Sequence, residues 1–198
     1  MSQLEYKTYL LKHKAKQNKG ANRSRDSERA KCYSAEFAMQ RRCAKKIPEF
    51  KDIKEAQKFA KKIYKSKTWQ KLWSESINGD VTRMFASSPK VVQKVRSSGR
   101  GTSGFTNGYT VTLDSYCGFD AYTLIHELTH CLGHMHHGRS FRKTLLSMVG
   151  VFLGAECKKV LKEEFKNRKL AFGGARKPMS YEQWLEAKNR MEKLRSKK

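Results

Sequence analysis

The sequence predicts an α+β protein, mainly helical, with a small β-sheet set before one histidine-rich helix. Apolar residues recur at intervals of three and four through most of 26–170, the spacing of helices that bury one face. β-Branched and aromatic residues concentrate in only two short stretches, VTRMFAS (81–87) and YTVTLD (109–114). Glycine and serine gather between those stretches, in SSGRGTSGFTNG (97–108).

Taken in order, residues 1–25 are polar and basic and read as a flexible arm, with a short helix over Leu4–Leu11. DSERAKCYSAEFAMQRRCAKK (26–46) has helical spacing, with Ala30, Tyr33, Phe37 and Ala44 on one face. Ser24 or Asp26 is placed to cap its start and Pro48 closes it. DIKEAQKFAKKIYKSKTWQKLW (52–73) reads as a second helix, its apolar stripe formed by Ile53, Ala56, Phe59, Ala60 and Ile63. Trp69 and Trp73, four apart, are expected to cover the core rather than to stack on bases. In the Gly/Ser-rich stretch no GK[ST] closes a phosphate loop, so a loop or hairpin turn at Asn107-Gly108 is expected instead.

FDAYTLIHELTHCL (119–132) follows as a helix with Leu124, Ile125, Leu128 and Leu132 turned inward. Arg139 to Phe152 forms another, striped by Phe141, Leu145, Met148 and Phe152, and ECKKVLKEEFKNRK (156–169) a third. Gly173-Gly174 breaks the chain before a basic terminal helix capped by Ser180. The expected organisation is a basic arm (1–25), a central domain (26–172) and a basic C-terminal helix (173–198).

Composition narrows the function. There are 43 Lys and Arg against 18 Asp and Glu, a net charge of +25. The excess is uneven, at +13 over 1–70, +1 over 71–137 and +11 over 138–198. Two basic flanks around a neutral centre attract polyanions by counterion release, so non-specific nucleic-acid contact through the arms is expected. No run approaches the ~18 apolar residues of a membrane span, and the N-terminus lacks a secretory pattern, so a cytoplasmic location is the expectation. Five cysteines, none in a CxxC pair, suit buried reduced thiols better than disulfides or a cysteine-rich zinc module.

The chemistry concentrates in HELTHCLGHMHHG (126–138), which holds five of the six histidines. His126-Glu127-Leu128-Thr129-His130 matches HExxH on an expected helix. Histidines four apart share a face and can reach one ion, while the glutamate beside the first can accept a proton from a metal-held water. The third ligand has two readings. HELTHCLGHMH fits HExxHxxGxxH, with Gly133 turning the chain and His136 binding, and Met179-Ser180-Tyr181 faintly resembles a Met-turn. Alternatively His137-Gly138-Arg139-Ser140-Phe141 is an HGxxF box at a helix start, with His137 binding.

HELTH, a short loop, HGRSF and an amphipathic helix together resemble the SprT-like branch of zinc peptidases. A nearer resemblance is to a metallohydrolase family of actinobacteria and their phages. There a stretch like RDSERAKCYSAE (25–36) opens the domain, and a helix with a tryptophan near its end, like EAQKFAKKIYKSKTWQKLW, precedes the strand and motif. The resemblance spans residues 25 to 170 and implies a zincin-like fold with one catalytic Zn2+. It implies His126, His130 and His137 as ligands, Glu127 as general base, a protein or peptide substrate, and host cytoplasm if phage-encoded. The cysteine-rich zinc ribbon that SprT proteins often carry is absent.

Three protein ligands leave zinc an open position for water, the catalytic arrangement. The strand YTVTLD is expected to hold an extended peptide by edge pairing, and Tyr109, Tyr116, Tyr122 and Tyr181 are candidate oxyanion donors. The competing reading is a basic nucleic-acid-binding protein whose structural zinc takes His134, His136 or Cys131 as fourth ligand.

Overall fold

The structure is a computed structural model; it describes residues 5–9, 26–77, 87–94, 103–115, 119–134, 136–172 and 180–195. The expected strand over 81–87 therefore falls, but for Ser87, outside the described residues, as do Ser24, Tyr116, Cys117, Gly173-Gly174, Met179 and most of the N-terminal arm. The described chain is α+β and mostly helical, with one three-stranded sheet. No helix among the described residues is long and apolar enough to cross a membrane. Two compact units are present, one spanning 26–172 and the other containing residues 5–9 and 180–195.

The larger unit begins with helix α1 (Arg29–Arg42). Its buried face is Cys32, Ala35, Glu36, Ala38 and Met39. That corrects the expected stripe, since Phe37 is 51% exposed and Ala30 and Ala44 also face water. Asp26 does not cap the helix; its carboxylate is engaged by His137 instead. Helix α2 (Ile53–Tyr64) is capped by Asp52, whose Oδ1 accepts from the Glu55 N–H at 2.9 Å. The single helix expected over 52–73 is in fact two. Ser66 ends the first and caps α3 (Lys67–Ile77), its Oγ accepting from the Trp69 N–H at 3.1 Å. Trp69 is buried and Trp73 stacks beside it, packed against the core as expected.

Strands β1 (Lys90–Lys94), β2 (Gly104–Thr106) and β3 (Thr110–Asp114) form a sheet in the order β1-β3-β2. β1 pairs with β3 in parallel and β2 pairs with it antiparallel. The β2–β3 turn is the expected hairpin at Asn107-Gly108. Asn107 Oδ1 accepts from the N–H groups of Tyr109 and Thr110, and Gly108 takes a φ of 88°. β3 is therefore the central strand, with both edges filled. This overturns the expectation that YTVTLD pairs with a peptide; among the described residues β2 is the edge strand on that side.

Helix α4 (Ala121–His130) packs on β2 and β3 and is capped by Asp120, which accepts from the Thr123 N–H at 2.8 Å. Leu124, Ile125 and Leu128 are fully buried. Helix α5 (Arg139–Phe152) crosses α4 and sends Phe141, Leu145 and Met148 into the same core. Helix α6 (Ala155–Asn167) packs against both α5 and α1, and Arg42 of α1 donates to Glu164 of α6 at 2.8 Å. Cys32, Cys43, Cys131 and Cys157 are buried free thiols.

In the smaller unit, helix α7 (Tyr181–Arg195) opens with a reciprocal capping box. Ser180 Oγ accepts from the Gln183 N–H, and Gln183 Oε1 accepts from the Ser180 N–H. Residues 5–9 are helical and pack on α7. Tyr6 lies edge-on to Tyr181, and Lys188 pairs with Glu5 at 3.0 Å.

Candidate metal centre

The buried helix α4 carries His126, Glu127 and His130. A spacing of four sets both imidazoles on one side, and their Nε2 atoms lie 3.2 Å apart. The chain then leaves α4 through Gly133, whose φ of 85° suits the left-handed close of a helix. It re-enters helix at α5 with Gly138 at its N-cap, which brings His137 over α4. His137 Nε2 stands 3.2 Å from His126 Nε2. The two glycines do not compete: Gly133 turns the chain, and His137 still reaches the group. The three histidines hold nitrogen atoms within 4.8 Å of one another, a set able to hold a metal ion.

Each ring's outer nitrogen is engaged, and this decides which nitrogen faces the centre. His137 Nδ1 donates to Asp26 Oδ2 at 2.6 Å, and the His137 backbone N–H donates to the same oxygen at 3.1 Å. His130 Nδ1 donates to the His134 carbonyl at 2.6 Å. His126 Nδ1 lies 2.9 Å from Glu36 Oε2, close enough for an ion pair but without a formed hydrogen bond. The partners of His137 and His130 only accept, so these two rings keep the proton on Nδ1 and turn a lone pair inward at Nε2, and the Glu36 carboxylate favours the same tautomer at His126. Nitrogen lone pairs facing one another across 3.2 Å repel unless a cation lies among them. Tetrahedral zinc with Zn–N of ~2.05 Å sets neighbouring nitrogens ~3.3 Å apart; two of the three pairs match this and the third lies within 4.8 Å, so the residues suit the metal.

Charge is arranged to match. Burial works against the Glu36 carboxylate, but the charge and hydrogen bond of His126 and the Cys32 thiol outweigh it and hold its pKa below the usual range. Burial likewise opposes Asp26, and the hydrogen bonds from His137 still hold it low. Burial lowers His130 well below the ordinary histidine value and lowers His137 too, which favours the neutral, ligating form, whereas at His126 the Glu36 carboxylate outweighs burial and raises the pKa. Burial also raises Glu127, against the pull of His126.

Glu127 itself is buried beneath β2. A Cβ added to Gly104 would lie 3.0 Å from Glu127 Cγ and 3.2 Å from its Oε1, so any side chain there would push the strand or the glutamate aside. Behind the site, the buried Arg142 donates to Glu28 at 3.0 Å, to the His137 carbonyl at 2.6 Å and to the Ala171 carbonyl at 2.8 Å. It ties the loop bearing His137 to the chain on both sides of the domain.

The other candidates are placed elsewhere. His136 is exposed, and His134 Nε2 bonds the Thr144 hydroxyl at 3.0 Å. Cys131 is buried, with its sulfur 3.2 Å from Thr106 Oγ1. None of these three belongs to the metal-capable group found among the described residues. Tyr122 is buried to 2%, and burial pushes its phenol pKa well up beside Glu36, so it sits in the core rather than at the open side. Tyr109 lies exposed by the hairpin turn, and Tyr181 belongs to the smaller unit. Sequence reasoning missed three residues here: Asp26, Glu36 and Tyr33, whose ring packs 4.7 Å from that of His137 and 5.7 Å from that of His126. Comparison with known proteins finds no matching family, no matching curated protein and no matching solved structure.

Proposed function

We propose that this chain is a zinc-dependent metallohydrolase, and specifically a metallopeptidase of the SprT-like, zincin-like kind. The observation that carries the reading is the convergence of three imidazole nitrogens from His126, His130 and His137, with Glu127 next to the first. Zinc held by three histidines supplies an acidified water and polarises a carbonyl. Glu127 is the residue that takes up the water's proton and returns it to the leaving amine. Burial raises its pKa above the usual carboxylate range, the direction that favours a general base. An extended peptide finds its pairing edge on β2 rather than on β3. Gly104 in that strand lies directly against Glu127, so a paired backbone would run past the base.

The structural-zinc alternative needs a fourth protein donor, and His134, His136 and Cys131 stand outside the group. A nucleic-acid setting has support of its own. Lys54, Lys58 and Lys61 on α2, with Lys65 at its C-cap, form an exposed stripe at helical spacing, and Lys67 and Lys71 of α3 are exposed as well. Such a face suits a phosphate backbone, and the hydrolase would then act on proteins held at nucleic acid. Replacing Glu127 with Gln tests the mechanism. Zinc content should stay at the wild-type level while hydrolysis of an unfolded protein substrate falls at least about a hundredfold. A Glu127→Gln protein that still cleaves would overturn it.

A further inference from the structure

We propose that Arg29, Tyr33 and Phe37 form the substrate-selecting wall of the histidine site, taking a substrate with an aromatic or large apolar side chain at Phe37 and a carboxylate at Arg29. The proposal rests on reading that site as a metallohydrolase centre. The three residues are spaced four apart on α1, so they lie along one helix face about 12 Å long. Tyr33, in the middle, is half-buried because its ring packs on His137 at 4.7 Å and faces His126 at 5.7 Å. The row therefore starts against the ligands and runs outward from them on both sides.

At one end Phe37 is 51% exposed, with its ring 6.3 Å from that of Tyr33. The buried face of this helix is Cys32, Ala35, Glu36, Ala38 and Met39, so Phe37 has no part in the core. Exposed on the row whose middle ring packs on two of the ligands, Phe37 is placed to receive an apolar group of a substrate held there. At the other end the Arg29 guanidinium carbon lies 5.3 Å from the Tyr33 ring centre, and Arg29 has no carboxylate partner among the described residues. A guanidinium there without a carboxylate is suited to a substrate's own, from an acidic side chain or a chain end.

Zinc-chelating hydroxamates test this on the zinc-loaded full chain. Acetohydroxamate probes the metal alone, and analogues add a benzyl group, a carboxylate, or both. The doubly substituted probe should bind at least about tenfold more tightly than acetohydroxamate. Phe37→Ser should remove the gain from benzyl and Arg29→Gln the gain from carboxylate, each leaving zinc content and acetohydroxamate affinity unchanged. If acetohydroxamate binds but neither substitution alters the substituted probes, the wall is wrong and the metal reading stands. If the chain takes up no zinc, or zinc with no site for acetohydroxamate, the hydrolase reading fails and the wall fails with it.

Discussion

At the scale of single residues, the centre depends on two carboxylates as much as on its three histidines. Asp26 and Glu36 each face the Nδ1 of one ring, set its tautomer and thereby aim Nε2 inward. Removing that charge leaves a ring free to turn or to change tautomer, so Asp26→Asn and Glu36→Gln should each weaken zinc binding by about 10- to 100-fold. Competition with a chromophoric chelator measures this without any substrate, and unchanged affinity in both variants would show that the carboxylates do not support the site. Legibility at this scale follows sequence distance. His126, Glu127 and His130 were readable because helical geometry alone relates residues one and four apart. His137 was readable only through the HGRSF box, with His136 as an equal claimant on spacing. Asp26 and Glu36 gave no signal, because Asp26 is 111 residues from its partner and only the tertiary fold brings them together.

Elements were legible where burial alone dictates the pattern. The inward faces of α4 and α5 matched their periodicity, since both helices cross the middle of the core. α1 did not, because its apolar Tyr33 and Phe37 line the open side of the site, while a carboxylate and a thiol occupy its inner face. β1 was missed for a related reason: KVVQK is short, ends in lysines and buries only Val91. The break at Ser66 was hidden because the apolar spacing runs on through it. The packing of β2 on α4 bears directly on Glu127. Gly104→Ala would push a methyl group against Glu127 Cγ and the Thr123 methyl, each 3.0 Å away, so the strand or the glutamate must shift by a few tenths of an ångström. The expected result is hydrolysis lowered roughly tenfold with zinc content preserved, read by paired metal analysis and peptide cleavage. Full activity in this variant would separate β2 from the catalytic geometry.

For the whole molecule, the charge excess and its concentration in 1–70 and 138–198 are plain from the sequence, though most of the N-terminal arm lies outside the described residues. The exposed lysines of α2 lie within that first basic stretch and within the central unit. If this face meets phosphates, substituting Lys54, Lys58, Lys61 and Lys65 by Gln should reduce the slope of log K against log salt by roughly 0.9 for each phosphate no longer neutralised, up to about 3–4. Equal substitutions at Lys158, Lys159, Lys162 and Lys166 remove the same charge from α6 and serve as the control. An equal reduction from both sets would mean that net charge, not the α2 face, drives binding. Apart from the lysine face, these expectations stand on the metal and its ligands, which zinc K-edge X-ray absorption on the purified chain reads out without a substrate. Three imidazole nitrogens and one oxygen at about 2.0 Å are expected around the ion. A sulfur neighbour, a fourth imidazole or a chain that retains no zinc would refute the catalytic centre.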